Sequence, residues 1–246
     1  LATVTGTAVE VKLSSGAFDA TGAVSIDFVA VGVPTSATGT APPAVEGASM
    51  SVVGDDVWIF GGWGGPTPGN LNVVYHFDIA NAVWSTFAAL SSPPAARMRH
   101  RSVVHNTNVV VVGGCTGQGS ADAAATCAEQ LADAIVWRLD VSDPTTPAWT
   151  SLSTTNAPTQ RVSPSIWLHS NTLFVFGGGA DDGTADSTAN AIFGADGAAS
   201  DTAIYKLDMS TGTGTWSTFA APTPCTQVNI PSARGYAQVA SMGSTA

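Results

Sequence analysis

The sequence predicts an all-β fold built from a repeated four-stranded unit. Three hydrophobic runs end on a glycine pair, each pair is followed by an aromatic-x-x-Asp tetrapeptide, and a tryptophan follows each tetrapeptide. The pairs are Gly61-Gly62, Gly113-Gly114 and Gly177-Gly178, the tetrapeptides are YHFD (75–78), WRLD (137–140) and YKLD (205–208), and the tryptophans are Trp84, Trp149 and Trp216. Self-similarity at a period of roughly 50 residues is typical of repeat architectures.

The strands of each unit are runs of β-branched and aromatic residues bounded by Gly, Asn, Asp and Pro. The first unit predicts strands over 49–54, 56–62, 73–79 and 83–88, and the second over 100–106, 108–114, 133–141 and 148–153. The third predicts 163–170, 172–178, 202–209 and 215–220. Short Asn-, Asp- and Gly-containing links join the first two strands of each unit, as in tight antiparallel turns. Such four-stranded sheets have the form of propeller blades, which must stack on neighbours to hide both faces.

This pattern divides the chain into five segments. We predict an N-terminal β segment at 1–44, three blades at 45–92, 93–156 and 157–222, and the first strand of a further blade at 223–246. Residues 1–33 carry two strand-like runs, which predict either a degenerate preceding blade or a separate β module. Since closed propellers have roughly four to eight blades, the chain is either a piece of a longer protein or a small ring completed by 1–33 and 234–243 together.

The repeat resembles the kelch family, whose pattern is an Arg and a His, a strand ending in Gly-Gly, an aromatic-rich strand and a Trp. Arg97 lies three residues before His100 and sixteen before Gly113, and Arg161 lies sixteen before Gly177. The first unit departs from the pattern, with Val45 and Ala48 in the Arg and His places, and the third has Pro164 in place of His. The resemblance covers 45–246 and implies a kelch-type β-propeller, incomplete in this chain.

The repeated residues are predicted to be structural. A glycine pair lets a strand end in a conformation or close approach that a Cβ would obstruct. Trp84, Trp149 and Trp216 are predicted to fill the wedges between blades, with their indole N–H groups hydrogen-bonded. Arg97 and Arg161 are predicted to bridge blades by bonding backbone carbonyls or a buried acid.

The repeats differ mainly in one connection. The link from the glycine pair to the third strand runs over 63–72, 115–132 and 179–201. Because this connection joins the same two strands in each blade, the three insertions should project from one face of the disc. Long connections of this kind are typical of binding loops. The candidate interaction residues on these loops are Trp63, Asn70, Gln118, Asp122, Asp181, Asp182, Ile192 and Phe193.

No catalytic constellation is apparent in the sequence, and no cofactor motif is recognised. The four histidines are scattered, and His100 is interpreted as a packing residue. Asp181, Asp182 and Asp186 offer oxygen ligands for calcium, although their spacing is not that of an EF-hand, and a solvated acidic loop explains them as well.

The three cysteines are too few for a disulfide framework. Cys115 and Cys127 have eleven residues between them in one loop, and a bridge that closes this loop would remove on the order of 3 kcal/mol of unfolded-state freedom. Two independent thiols, or a metal pair with His100 or His105, are the alternatives.

Composition limits the partners. Eighteen acidic residues against eight basic ones, a net charge of −10, disfavour nucleic acid and anionic membranes. No apolar run reaches about 18 residues, so no transmembrane segment is predicted. The low charged fraction of 11% is more usual for extracellular or organelle-lumen proteins, with a cytoplasmic location as the alternative.

Together these features predict a non-catalytic scaffold subunit that binds other proteins in a larger assembly. The alternative is a galactose-oxidase-like or carbohydrate-binding propeller whose site lies in blades outside this chain. Within the chain, only Trp63 suggests carbohydrate stacking.

Overall fold

The structure is a computed structural model that describes residues 10–12, 27–29, 37–65, 69–118, 126–130, 135–158, 161–178 and 203–219. Its first strands are β1 (Glu10–Lys12), β2 (Asp27–Val29), β3 (Val45–Glu46), β4 (Ser49–Val53), β5 (Asp56–Phe60), β6 (Trp63–Gly64), β7 (Gly69–Asn70), β8 (Val74–Asp78) and β9 (Val83–Phe87). The next are β10 (Arg101–His105), β11 (Asn108–Val112), β12 (Cys115–Gln118), β13 (Thr126–Gln130), β14 (Val136–Asp140), β15 (Ala148–Ser151) and β16 (Ser153–Thr155). The last are β17 (Ser165–His169), β18 (Thr172–Phe176), β19 (Ile204–Asp208), β20 (Thr213–Thr215) and β21 (Ser217–Thr218).

Three four-stranded antiparallel sheets carry the repeat, which confirms the predicted fold class. Their strand orders are β4-β5-β8-β9, β10-β11-β14-β15 and β17-β18-β19-β21. We call them the first, second and third blades. Each strand lies within one predicted run, and the register between the second and third strands repeats from blade to blade. Within the described residues, no helix is long and apolar enough to cross a bilayer.

The second strands end earlier than the sequence predicts. They stop at Phe60, Val112 and Phe176, one residue before each glycine pair. All six glycines have positive φ, from 64° to 101°, which lies outside the β region that a strand requires. The pairs therefore terminate the strands instead of belonging to them.

Apolar side chains fill the spaces between neighbouring blades. Between the first and second blades, Trp58, Phe60 and Val74 form one cluster with residues that include Val111 and Trp149. Between the second and third, the cluster includes Val110, Val112, Leu173, Val175 and Trp216. Alternate residues of β11 thus face opposite neighbours, as the period of two in a strand requires.

The third and first blades each pair with a segment that precedes them. β16, which follows the second blade, pairs in parallel with β20, and the main-chain N–H of Trp216 donates to the Thr155 carbonyl. In the same way Thr38 forms a parallel bridge with Val83, and the main-chain N–H of Trp84 donates to the Thr38 carbonyl at 2.9 Å. The predicted strand over 215–220 is accordingly divided into β20 and β21 at Trp216.

Two of the three tryptophans occupy the predicted wedges. Trp149 and Trp216 are 6% and 2% exposed, whereas Trp84 is only half-buried and contacts Phe77 at 4.7 Å between ring centroids. The prediction that the indole N–H groups are hydrogen-bonded is wrong for Trp149 and Trp216. Their buried Nε1 atoms have no partner among the described residues. Both indoles lie among apolar side chains, where few acceptors are within reach.

Candidate functional site: the loop face

The first two insertions leave the blades at the same end and meet. β6 and β7 follow the first glycine pair and form a small sheet with β3, in the order β3-β6-β7. β12 and β13 follow the second pair and form an antiparallel ribbon. β7 lies in contact with β12. We call this surface, made of β3, β6, β7, β12 and β13, the loop face.

The first two glycine pairs hold the bases of their insertions against the following repeat. The Gly62 N–H donates to the Arg97 carbonyl at 2.8 Å, and the Arg97 N–H donates to the Leu71 carbonyl at 3.1 Å. One repeat later, the Gly114 N–H donates to the Arg161 carbonyl at 2.8 Å. A Cβ on Gly61 would lie 2.7 Å from the Arg97 carbonyl oxygen and 3.0 Å from the His100 ring, so only glycine fits this approach.

The arginines are fully buried, and their side chains donate to main-chain carbonyls. The Arg97 Nη1–H donates to the Gly113 carbonyl at 2.9 Å, and the Arg161 Nη1–H donates to the Gly177 carbonyl at 3.0 Å. Both acceptors belong to the arginine's own repeat. The main-chain carbonyl of each arginine accepts a hydrogen bond from the glycine pair of the preceding repeat. Each arginine therefore contacts two successive glycine pairs, one through its side chain and one through its main chain.

A second link between repeats, two residues after each arginine position, is not predicted by the sequence. The Arg99 N–H donates to the Gly47 carbonyl at 2.7 Å, and the Ser163 N–H donates to the Arg99 carbonyl at 2.8 Å. All three residues have positive φ, of 67° at Gly47, 56° at Arg99 and 51° at Ser163. The only sequence signal is Gly47, because Arg and Ser rarely adopt this conformation.

The side chain of Arg99 extends this link to the loop face. Its Nη2 lies 3.3 Å from Oε1 of Glu46, on β3. The Glu46 side chain is half exposed, so this ion pair places charge at the rim of the loop face.

His100 is buried beneath the same region. It packs against Phe60, with 5.1 Å between ring centroids. Burial, and then the positive charge of Arg97, lower its pKa from 6.5 to about 3, against an opposing contribution from the Phe60 main chain. His100 is therefore neutral at ordinary pH, which suits packing better than acid–base chemistry at pH 7.

Trp63, one of the predicted interaction residues, lies on β6. It is half-buried and packs against a small apolar cluster of Met98, Cys115 and Val162, which joins the first insertion to the next two repeats. Asn70, on β7, is also half-buried. The surface these residues offer is a packed and preformed one.

Of the remaining predicted interaction residues, the structure describes only Gln118. Gln118 lies on β12, where its backbone pairs with Thr126. Asp122, Asp181, Asp182, Asp186, Ile192 and Phe193 lie outside the described residues, and the calcium prediction lies there with them. Within the described residues, no group of three or more His, Cys, Asp or Glu side chains is arranged to hold a metal ion.

Cys115 begins the β12 strand and is fully buried. It is disulfide-bonded. In the β12–β13 ribbon, Gly117 is the register partner of Cys127, so the strand that carries Cys127 lies directly beside the strand that carries Cys115. Cys127 as the bonded partner stays a prediction.

Comparison with known proteins supplies the family. The model of the KLHDC2/KLHL20/DRC7 Kelch-repeats domain matches residues 30–178, which is more than half of the chain. The chain belongs to this kelch-repeat family.

Individual relatives match a similar share of the chain. Kelch domain-containing protein 3 of Rattus norvegicus is 32% identical over 136 residues, covering 55% of this chain and 32% of the relative. The Homo sapiens protein of the same name is 28% identical over 152 residues, covering 61% and 36%. Adagio protein 3 of Arabidopsis thaliana is 30% identical over 149 residues, covering 58% and 22%. The chain thus spans about a third or less of the length of these relatives.

Proposed function

We propose that this kelch chain is a non-catalytic protein-binding subunit that recognises its partner through the loop face. The observation that carries the proposal is that the first two insertions meet, with β7 beside β12. Two separate loops would each lose conformational freedom on binding, whereas a packed surface loses less. Kelch domains commonly mediate protein binding, which supports the same function.

The chemistry of the loop face favours a partner with basic and apolar groups. Glu46 lies at its rim with a half-exposed carboxylate, and the half-buried Trp63 ring lies on the neighbouring strand β6. Tryptophan is enriched among the residues that dominate interface energies. The net charge of −10 would favour encounter with a basic partner, because complementary charge speeds association.

We propose further that the protein works in an oxidising compartment, outside the cell or in an organelle lumen. The disulfide at Cys115 supports this, since disulfides persist in oxidising environments and are rare in the cytosol.

The test is affinity capture from the organism of origin, followed by titration with the purified partner. The loop-face variant is Trp63→Ala with Glu46→Lys, and the control is Asp55→Lys, the same charge reversal in the β4–β5 turn at the other end of the first blade. We expect the loop-face variant to weaken binding about tenfold or more, equivalent to about 1.4 kcal/mol, and the control to bind like the wild type. Equal affinity of the two variants would overturn the proposal.

A further inference from the structure

A cavity of about 480 Å³ lies at the end of the blades opposite the loop face. It is formed by the first blade and by the turn between β14 and β15 of the second. It is lined by Asp56, His76, Asp78, Asn81, Val83, Ser85, Phe87, Pro144 and Thr145. Its volume is in the range of small-molecule and side-chain binding sites, and the proposed function does not involve it.

The lining of the cavity includes a polar pair, the buried His76 and the partly exposed Asp56. His76 is 7% exposed, and its Nε2 lies 2.6 Å from Oδ1 of Asp56. The imidazole also stacks on Trp58, with 4.4 Å between ring centroids and 21° between planes. These two contacts hold the His76 ring in one orientation.

The charge of the cavity is negative. Asp56 and Asp78 both line it, and among the nine lining residues there is no lysine or arginine. The Asn81 side chain, followed by its main chain, lowers the pKa of Asp78. His76, which contacts Asp56, is thus the one basic side chain that lines the cavity beside the two carboxylates.

The walls of the cavity are apolar and preformed. Val83, Phe87 and Pro144 contribute apolar surface, and Phe87 stacks on Trp58 at 6.2 Å between ring centroids. On the second blade, the Asp143 carboxylate accepts hydrogen bonds from the Thr145 main chain and from the Thr145 and Thr146 hydroxyls. On the first blade, Asp78 accepts bonds from the Asn81 main chain and side chain at 2.8 and 2.7 Å. Both sides are held before any ligand arrives.

We propose that this cavity binds the guanidinium group of an arginine side chain from a partner polypeptide. A guanidinium is planar, stacks on aromatic rings and bonds carboxylates in a forked geometry. The two lining carboxylates, the aromatic wall of Phe87 and the apolar sides for an aliphatic stem match these three properties. The loop face takes no part in this site.

The experiment measures binding of N-acetyl-L-arginine amide to the whole chain by NMR titration at low salt. The N-acetyl-L-citrulline amide has the same shape without the charge and should bind at least tenfold more weakly. Equal binding of the citrulline probe, or no arginine binding at millimolar concentrations, would overturn the proposal.

The variant Asp78→Asn should weaken arginine binding about tenfold while leaving the His76–Asp56 pair in place. Asp208→Asn is the matched control, because Asp208 ends the corresponding strand of the third blade, accepts a bond from the Ser210 main chain and lies outside the cavity. Equal effects of the two substitutions would show a non-specific effect of charge and would sink the assignment. The loop-face variant Trp63→Ala with Glu46→Lys should bind arginine like the wild type.

Discussion

At the scale of single residues, the buried arginines explain how the repeats are joined. Arg97 is 0% exposed and donates through Nη1 to the Gly113 carbonyl and through Nε to the Ala95 carbonyl. Its own carbonyl accepts from Gly62 in the preceding repeat. Burying a charged group is costly unless it is fully hydrogen-bonded, so these contacts are needed for the arginine to be tolerated at all.

Replacing Arg97 with alanine should therefore destabilise the protein strongly. Each carbonyl left without a donor costs about 1–3 kcal/mol, so we expect Arg97→Ala to lower the free energy of unfolding by about 2–5 kcal/mol in urea titration. Arg101→Ala, at a half-buried position on β10, is the control and should cost about 0.5 kcal/mol. Equal losses would mean that the carbonyl contacts of Arg97 contribute little.

His100 should make stability depend on pH. Its pKa is about 3 in the folded protein, below the ordinary 6.5, so between these values the unfolded chain holds more protons than the folded one. The free energy of unfolding should then fall as pH drops from 6.5 toward 3, by up to about 1.4 kcal/mol per pH unit. The measurement is urea unfolding at several pH values.

Two substitutions separate His100 from other groups. His100→Gln should reduce the pH dependence of the free energy of unfolding above pH 4. His169→Gln, at an exposed position, should leave this pH dependence unchanged. Asp78, Asp143 and Asp208 also have lowered pKa values, through hydrogen bonds from Asn81, Thr145 and Ser210 respectively. Their contribution is lost only below about pH 4. An unchanged slope in His100→Gln between pH 6.5 and 4 would rule out this origin.

At the scale of elements, the glycine pairs decide where strands end and where insertions begin. Gly61 and Gly54 have nearly the same φ, 65° and 62°, but different surroundings. A Cβ at Gly61 would meet the Arg97 carbonyl oxygen, whereas a Cβ at Gly54 would meet nothing within 4 Å. Comparing substitutions at Gly54 and Gly61 therefore distinguishes the cost of backbone strain from the cost of a steric contact.

Gly54→Ala should cost about 1–2 kcal/mol, the price of placing a side chain in the left-handed region. Gly61→Ala carries the same strain, and the contact with Arg97 should add about 1–3 kcal/mol, as overpacking does elsewhere. Thermal or urea unfolding of both variants measures the difference. If the two variants lost equal stability, the close approach of the repeats would not be the reason for the glycine.

The β12–β13 ribbon allows a direct test of the predicted bridge. Proteolysis without reductant, followed by mass spectrometry, should release a peptide in which Cys115 is linked to Cys127, and reduction should separate the two halves. Cys225 should then react with an alkylating agent before reduction. Recovery of a Cys115–Cys225 peptide instead would show that the prediction named the wrong partner.

Much of the blade architecture could be predicted from the sequence, because alternation, turn residues and the glycine pairs are local signals. The links between repeats could not. Arg99 and Ser163 adopt positive φ without being glycine, and nothing in their identity signals it. The His76–Asp56 contact joins residues twenty positions apart on neighbouring strands, so it appears only once the register of β5 and β8 is known. The meeting of β7 and β12 depends on the packing of two blades.

At the scale of the whole molecule, the blades pack by a repeated rule. Val109 and Val111 of the second blade face the first, and the corresponding first-blade residues, Val57 and Ile59, are half-buried. On the same blade, Met50 is 67% exposed and Val52 is 51% exposed. The second blade is covered by the first on the side that carries Trp149. Among the described residues, no sheet covers the first blade in the same way on the side that carries Trp84, which explains why Trp84 is only half-buried.

The central claim is that partners bind at the loop face, and hydrogen exchange of the chain with and without its captured partner tests it most directly. We predict that the partner slows exchange at 63–64, 69–70, 115–118 and 126–130 and leaves the 142–147 turn of the second blade unchanged. Slowed exchange confined to that turn and to the β4–β5 turn, with the loop face unaffected, would contradict the account.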